Sequence, residues 1–317
     1  MVIELGDIEA ARERIQDKVR RTPVIRAAPA RAPICDGDVW LKLECLQISG
    51  SFKARGATNK VASLDDAALA RGLVTASGGN HGLGVAYAAW RAGVSARIYL
   101  PANTPPAKAD ALRAWGAEVV REGAVWDDAN AAALEAAARD GPSYVHPFAD
   151  PLVIAGQGTV GLEIVEQMDH LDTLVVAIGG GGLISGVATA IKALTPATRV
   201  IGVEPEGAPT LYESTRARRL VTLASLDTAA NTLAPRRSEQ INLDIISAHV
   251  DDIVLVSDDA MRDAARWLWR EFGVGVELGA AAAVAALQTG RVAPAADEIT
   301  CALVCGAGRD GMEERAA

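Results

Sequence analysis

Four consecutive glycines, Gly179-Gly180-Gly181-Gly182, join two segments of different character. Residues 173–178 ahead of them form a short, nearly uninterrupted apolar run that reads as a buried strand, and residues 182–194 behind them read as a helix. The same order of strand, tight turn and helix recurs along the chain. Residues 73–76, 96–100, 117–121 and 143–146 read as strands. Between them lie helices at 80–91 and 127–139, and a segment capped by Thr104, with Pro105 at its first helical position, that stops near Trp115-Gly116. The second half repeats the habit, with helices at 151–168, 258–272 and 279–287 and strands at 199–203, 252–256 and 299–304. Upstream, residues 8–19 read as an amphipathic helix, 39–44 as an alternating strand and 53–62 as a helix, while 214–244 has weak periodicity and reads as loop-rich. Strands alternating with helices predict an α/β fold of mostly parallel twisted sheets covered by helices. With 317 residues, the chain has room for two such domains.

Parallel sheets bind ligands just beyond the C-terminal ends of their strands, and the small-residue strings of this chain fall at such ends. The tetraglycine brings backbone N–H groups to the start of a helix, where a phosphate fits. A tight turn without ligand is the other reading, at an entropic cost for each glycine. No Gly-Lys-Ser/Thr follows, and the spacing is not that of a dinucleotide fingerprint. In Ser77-Gly78-Gly79-Asn80-His81 the exposed amides are candidates to hold a carboxylate, and the Asn80 side chain could donate to a phenolic oxygen. His81 reads either as a general base or as a locally packed histidine. Lys53 follows Ser49-Gly50-Ser51-Phe52 and opens a helix, the setting of a lysine that forms an imine with an aldehyde cofactor, although most lysines are simply solvated. Cys305 ends the last strand and, read alone, is a small buried filler.

A formal charge of −9, and no basic cluster larger than Arg216, Arg218 and Arg219, argue against a nucleic-acid partner. Four cysteines without zinc spacing suit a reducing cytosol, so a cytoplasmic protein is expected. Residues 173–191 are uncharged and long enough to raise a membrane span, but five glycines, four in a row, favour a strand, a turn and a helix start.

Together these strings resemble the pyridoxal-phosphate-dependent serine/threonine dehydratases, of the fold group that includes serine racemase and the tryptophan synthase β subunit. The resemblance rests on Leu41-Lys42-Leu43-Glu44, Gln47 and Gly50-Ser51-Phe52-Lys53-Ala54-Arg55-Gly56-Ala57. It extends through His146-Pro147-Phe148, Asp150-Pro151, Ile154-Ala155-Gly156-Gln157-Gly158-Thr159 and Gly202-Val203-Glu204-Pro205. It implies that Lys53 is the Schiff-base lysine and the general base, with Phe52 beside the cofactor and Asn80 on its phenolic oxygen. Gly179, Gly180, Gly181, Gly182 and Leu183 would hold the phosphate, Cys305 would face the pyridine nitrogen, and Ser77, Gly78, Gly79, Asn80 and His81 would hold the substrate carboxylate. It further implies a large cofactor-binding domain of residues 1–71 and 150–317, a small domain of 72–149 with the active site in the cleft between, and a homodimer or homotetramer. The expected reaction is β-elimination from a threonine- or serine-type amino acid, giving a 2-oxo acid and ammonia, in a catabolic enzyme without an appended regulatory domain.

Three departures qualify this. Racemising relatives carry a serine where this chain has Gly78, which disfavours racemisation. Relatives that bind a divalent cation do so through Glu-Pro-x-x-Ala-x-Asp; here Glu204 and Ala208 match, but Thr210 stands in place of the aspartate. Ala230-Asn231-Thr232 and Gly306-Ala307-Gly308-Arg309 replace the usual substrate-side loops, so a bulkier or acidic substrate such as 3-phenylserine or 3-hydroxyaspartate is open. A β-replacement enzyme is disfavoured by Ala54, where such enzymes have Asp. A non-catalytic phosphate-binding module is the alternative of another class.

Overall fold

The structure, a computed structural model, describes residues 3–312. From the N-terminus the elements are α1 (Leu5–Ile15), β1 (Val24–Arg26), β2 (Asp38–Leu43), α2 (Lys53–Ala62), α3 (Asp66–Ala70) and β3 (Leu73–Ala76). There follow α4 (Asn80–Ala92), β4 (Ala96–Leu100), α5 (Pro106–Ala114), β5 (Glu118–Arg121), α6 (Trp126–Asp140) and β6 (Ser143–Tyr144). Next come α7 (Pro151–Gln167), β7 (Thr173–Ala177), α8 (Gly182–Leu194), β8 (Arg199–Pro205) and α9 (Thr210–Ala217). The chain closes with α10 (Gln240–His249), β9 (Asp252–Val256), α11 (Asp258–Phe272), α12 (Ala282–Gln288) and β10 (Ile299–Val304).

Two sheets result. Six strands run in the order β1-β2-β10-β7-β8-β9, all parallel except the antiparallel edge strand β1, and four parallel strands run β5-β4-β3-β6. Strands β7 and β10 are interior to the larger sheet, and β7 is buried at every position, as an apolar strand covered on both faces must be. Among the described residues no helix is long and apolar enough to cross a membrane, and residues 173–191 divide into β7, the glycine turn and α8.

Some expectations shift. Pro105 rather than Thr104 is the N-cap of α5, and Pro106 takes the first helical position. A residue before proline is steered out of the helical region, and Pro105 sits at ψ 139° for that reason. The strand expected at 143–146 ends at Tyr144, because the His146 ring turns back to accept the amides of Phe148 and Ala149. The alanine-rich segment divides into a 3-10 turn, Leu278–Ala281, followed by α12. Residues 214–244 are loop in the middle but contain the end of α9 and the start of α10.

Two seams set the position of α2. At Gly56 and Gly156, α2 crosses α7 so closely that a Cβ on Gly156 would lie 2.6 Å from the Gly56 Cα. At Gly84, on α4, an added Cβ would meet the Lys53 carbonyl carbon and oxygen at 2.9 Å. A buried charge cluster ties α2 to α7 and β2. The Arg55 guanidinium bonds both oxygens of Glu44 at 2.8 Å and both of Glu163 at 2.7 and 2.9 Å, and the Lys42 amine reaches Glu163 at 2.6 Å. Two cations against two carboxylates leave the cluster formally neutral, the condition under which buried charge is tolerated.

Candidate active site

Lys53 is the first residue of α2, and its approach is fixed by the chain that leaves β10. Gly50, at φ +81°, accepts the amide of Ala307 at 2.7 Å, Ser51 bridges to Gly306, and the Phe52 amide donates to the Cys305 carbonyl at 3.3 Å. The left-handed backbone at Gly50 is one that glycine adopts without penalty. The Lys53 amine donates to the Pro147 carbonyl at 2.6 Å and stands 5.1 Å from the centre of the Phe52 ring. Burial pulls this amine down to about 8, against the opposing pull of Cys305 and Glu277. A lysine so placed holds its proton weakly near neutral pH, as a nucleophile or base requires.

The tetraglycine follows β7 and supplies the N-cap of α8 at Gly181, φ +95°. Side chains are excluded there by packing. A Cβ on Gly180 would collide with the Phe148 ring, one on Gly182 would sit 2.6 Å from the Phe148 carbonyl oxygen, and one on Gly179 would sit 2.7 Å from the Thr232 carbonyl oxygen. Among the described residues the amides of Gly179, Gly180 and Gly181 donate to no protein oxygen. Those of Gly182 and Leu183 belong to the first turn of α8, which has no intrahelical acceptor for them. Five amides at the positive end of a helix make an anion cradle. Ser238 holds it from behind by donating to the Gly180 carbonyl at 2.8 Å, and Asn242 of α10 does so through the Phe148 carbonyl at 3.1 Å.

Past β3, the Gly79 amide is engaged by the Ser77 hydroxyl at 3.2 Å, and Asn80 opens α4. His81 is buried, and its Nε2 lies 2.9 Å from the Val145 carbonyl, to which it donates. Burial, with the nearby Lys53 charge, pulls the ring down to about 3, so it is neutral. Of the two sequence readings of His81 the locally packed one describes its side chain, and its amide lies in the first turn of α4. At Gly78 an added Cβ would lie 3.2 Å from the Thr104 methyl and 3.4 Å from Leu100.

Sequence reasoning missed Glu277. It is 8% exposed, between the Val276 bridge to Ala307 and the start of the alanine-rich turn. Both its oxygens lie 2.9 Å from the Asn80 Nδ2. Burial pushes this carboxyl up to about 7, with Asn80 pulling it down and Asp310 pushing it up. An amide nitrogen has two hydrogens, so Asn80 retains a donor for a ligand. Cys305 is buried beside this group, and burial together with Glu277 pushes its thiol well above the ordinary thiol range, so it is uncharged. Lys53, Asn80, Cys305 and Glu277 thus form one electrostatically coupled group. Glu204 and Ala208 lie at the end of β8 and in the turn before α9.

Residues 15–306 match the family model described as pyridoxal-phosphate dependent enzyme. The chain belongs to that family. Pyridoxal phosphate is the family's cofactor, and the residues present fit it: an amide cradle for a dianionic phosphate, an amine of lowered basicity for an aldehyde, and an uncharged thiol. An L-threonine ammonia-lyase from Thermotoga maritima is 40% identical over 286 residues, covering 90% of this chain and 71% of the relative. Among solved structures, maize serine racemase superposes with a TM-score of 0.92 at 34% identity, over 96% of this chain and 94% of that one. The processed form of threonine deaminase isoform 2 from Solanum lycopersicum gives 0.90 at 35% identity, over 96% of this chain and 84% of that one. The fold is therefore the two-domain, parallel-sheet α/β arrangement of these enzymes.

Proposed function

We propose that the enzyme is an ammonia-lyase that eliminates the β-hydroxyl of a threonine- or serine-type amino acid, releasing a 2-oxo acid and ammonia. The observation that carries this is the placement of the Lys53 amine, buried at the start of α2 and 2.6 Å from the Pro147 carbonyl, with Cys305 and Glu277 close enough to act on its charge. When bound, pyridoxal phosphate supplies a sink for the electrons left at the substrate Cα. The chain supplies the rest. The Gly179–Leu183 amides anchor the phosphate, and Asn80 uses its remaining N–H on the phenolic oxygen. Cys305 offers the ring nitrogen no negative charge. The α4 N-terminus, with the amides of Gly78, Asn80 and His81, holds the substrate carboxylate. The Lys53 Nζ takes the Cα proton as general base. Gly78 has no group that could return a proton from the other face, so loss of the β-hydroxyl prevails over racemisation.

In this reading residues 72–149 form the small domain, with the substrate in the cleft between it and the remainder of the chain. The assembly is a homodimer or homotetramer, to be read by sedimentation velocity. A cytoplasmic location is supported by the four cysteines, all unpaired. The testing experiment is a screen of serine, threonine, 3-hydroxyaspartate and 3-phenylserine with detection of the 2-oxo acid. Turnover of at least one is expected, and inactivity of the cofactor-loaded enzyme on all four would sink the proposal.

A further inference from the structure

The resemblance raises a divalent-cation site at Glu204, Ala208 and Thr210, and the donors present do not fit one. Glu204 is fully buried and directs one carboxyl oxygen to the Leu211 amide at 2.9 Å and the other to the Tyr212 amide at 2.7 Å. These are first-turn amides of α9, which have no partner within their own helix. The Ala208 carbonyl accepts the Thr210 amide at 2.9 Å. Thr210, in the place of the pattern's aspartate, donates its hydroxyl to the Pro235 carbonyl at 2.7 Å. The Asp227 amide closes down on the Gly207 carbonyl at 2.9 Å, and a Cβ on Gly207 would collide with the Asp227 carbonyl oxygen. Hard divalent cations take six or more oxygens, anchored by carboxylates. Here a single carboxylate is present and both its oxygens are engaged.

We infer that the turn from Glu204 to Thr210 is a latch made of protein alone, doing by hydrogen bonds what a divalent cation does in relatives that have the aspartate. The fold, its hold on the cofactor and its turnover therefore need no such cation. The latch bears on the cofactor cradle, because Pro235 lies between Thr232, packed on Gly179, and Ser238, bonded to Gly180. This goes beyond the proposed reaction and does not depend on it.

The test uses the full chain loaded with pyridoxal phosphate, freed of metal with EDTA and titrated with Mg²⁺, Ca²⁺ or Mn²⁺. Melting temperature and cofactor absorbance are followed. Neither should change. An occupied site at a hundredfold excess over its Kd would raise the melting temperature by roughly 5 °C; such a rise, or a fall on EDTA treatment, overturns the inference. Thr210→Val should melt lower by the same amount with and without cation, and rescue of that variant by cation counts against the latch. A folded Thr210→Asp protein should acquire a cation-dependent rise, and the lack of one overturns the assignment of Thr210 as the residue that removes the site. If that variant does not fold, the unsubstituted protein's titration decides.

Discussion

Glu277→Gln isolates the acidic group closest to the centre of the site. The substitution keeps the shape and one oxygen for Asn80, and removes the titration. In the native protein burial holds the carboxyl up at about 7, from an ordinary value of 4.5. Each pH unit of such displacement corresponds to about 1.4 kcal/mol between the two protonation states, so the displacement from 4.5 to about 7 is worth at most about 3.5 kcal/mol. The sign follows from proton uptake. Between 4.5 and 7 the folded state keeps a proton that the unfolded state has released, so stability falls as pH rises through that window. Below 4.5 both states are protonated and the penalty vanishes. Urea denaturation of the cofactor-free protein and of Glu277→Gln, in parallel from about pH 4 to about pH 8, reads this as a difference in which the other titrating groups cancel. The variant should gain on the unsubstituted protein by up to about 3.5 kcal/mol across the window. A difference that does not vary with pH would refute the assignment of a buried, proton-holding carboxyl at Glu277.

Other outcomes follow from the same geometry. Lys53→Ala should abolish turnover and the borohydride-bleachable absorbance while leaving the melting temperature of the cofactor-free protein nearly unchanged; normal ammonia release would remove Lys53 from its role. Glu163→Gln leaves the buried Lys42 and Arg55 facing Glu44 alone and should cost about 3–5 kcal/mol in urea denaturation, so a loss well under about 1 kcal/mol would show the cluster to be solvated. Gly78→Ser adds a hydroxyl on the face that the proposed function gives to the substrate and presses on the Thr104 methyl, 3.2 Å from the new Cβ; chiral analysis of recovered substrate should show some racemisation, and its absence in an active variant would mean that Gly78 is not what prevents it.

Much of this architecture was legible because its signals are local. The limits of α2, β3, β4, α8, β9, α11 and β10 follow from apolar runs broken by glycine or polar residues, and the tetraglycine marks its own position. What escaped depends on contacts distant in sequence. Glu277 is one acidic residue between valine and leucine, and it matters only because Val276 pairs with Ala307 and Asn80 lies across from it, 197 residues away. The direction of the His81 ring could not be read from Gly-Asn-His-Gly, since its partner Val145 belongs to another segment. The three-residue edge strand β1 is too short for periodicity to register. Helix α10 starts inside the stretch whose loop-like centre dominates its pattern and runs past its end, so the buried Leu243, Ile245 and Ile246 fall on both sides of that boundary.

The glycine seams at Gly56, Gly156 and Gly84 have a consequence for anyone redesigning this enzyme. The register of the reactive lysine is encoded by atoms that are missing. Under the proposed function, substrate range can be explored at Gly78 or Thr104, where a new side chain meets neighbouring side chains. A methyl group added at Gly84 meets backbone instead and shifts Lys53 itself. A mutational library over this chain should therefore treat those three glycines as fixed points of the scaffold, and place its diversity where added atoms meet side chains rather than backbone.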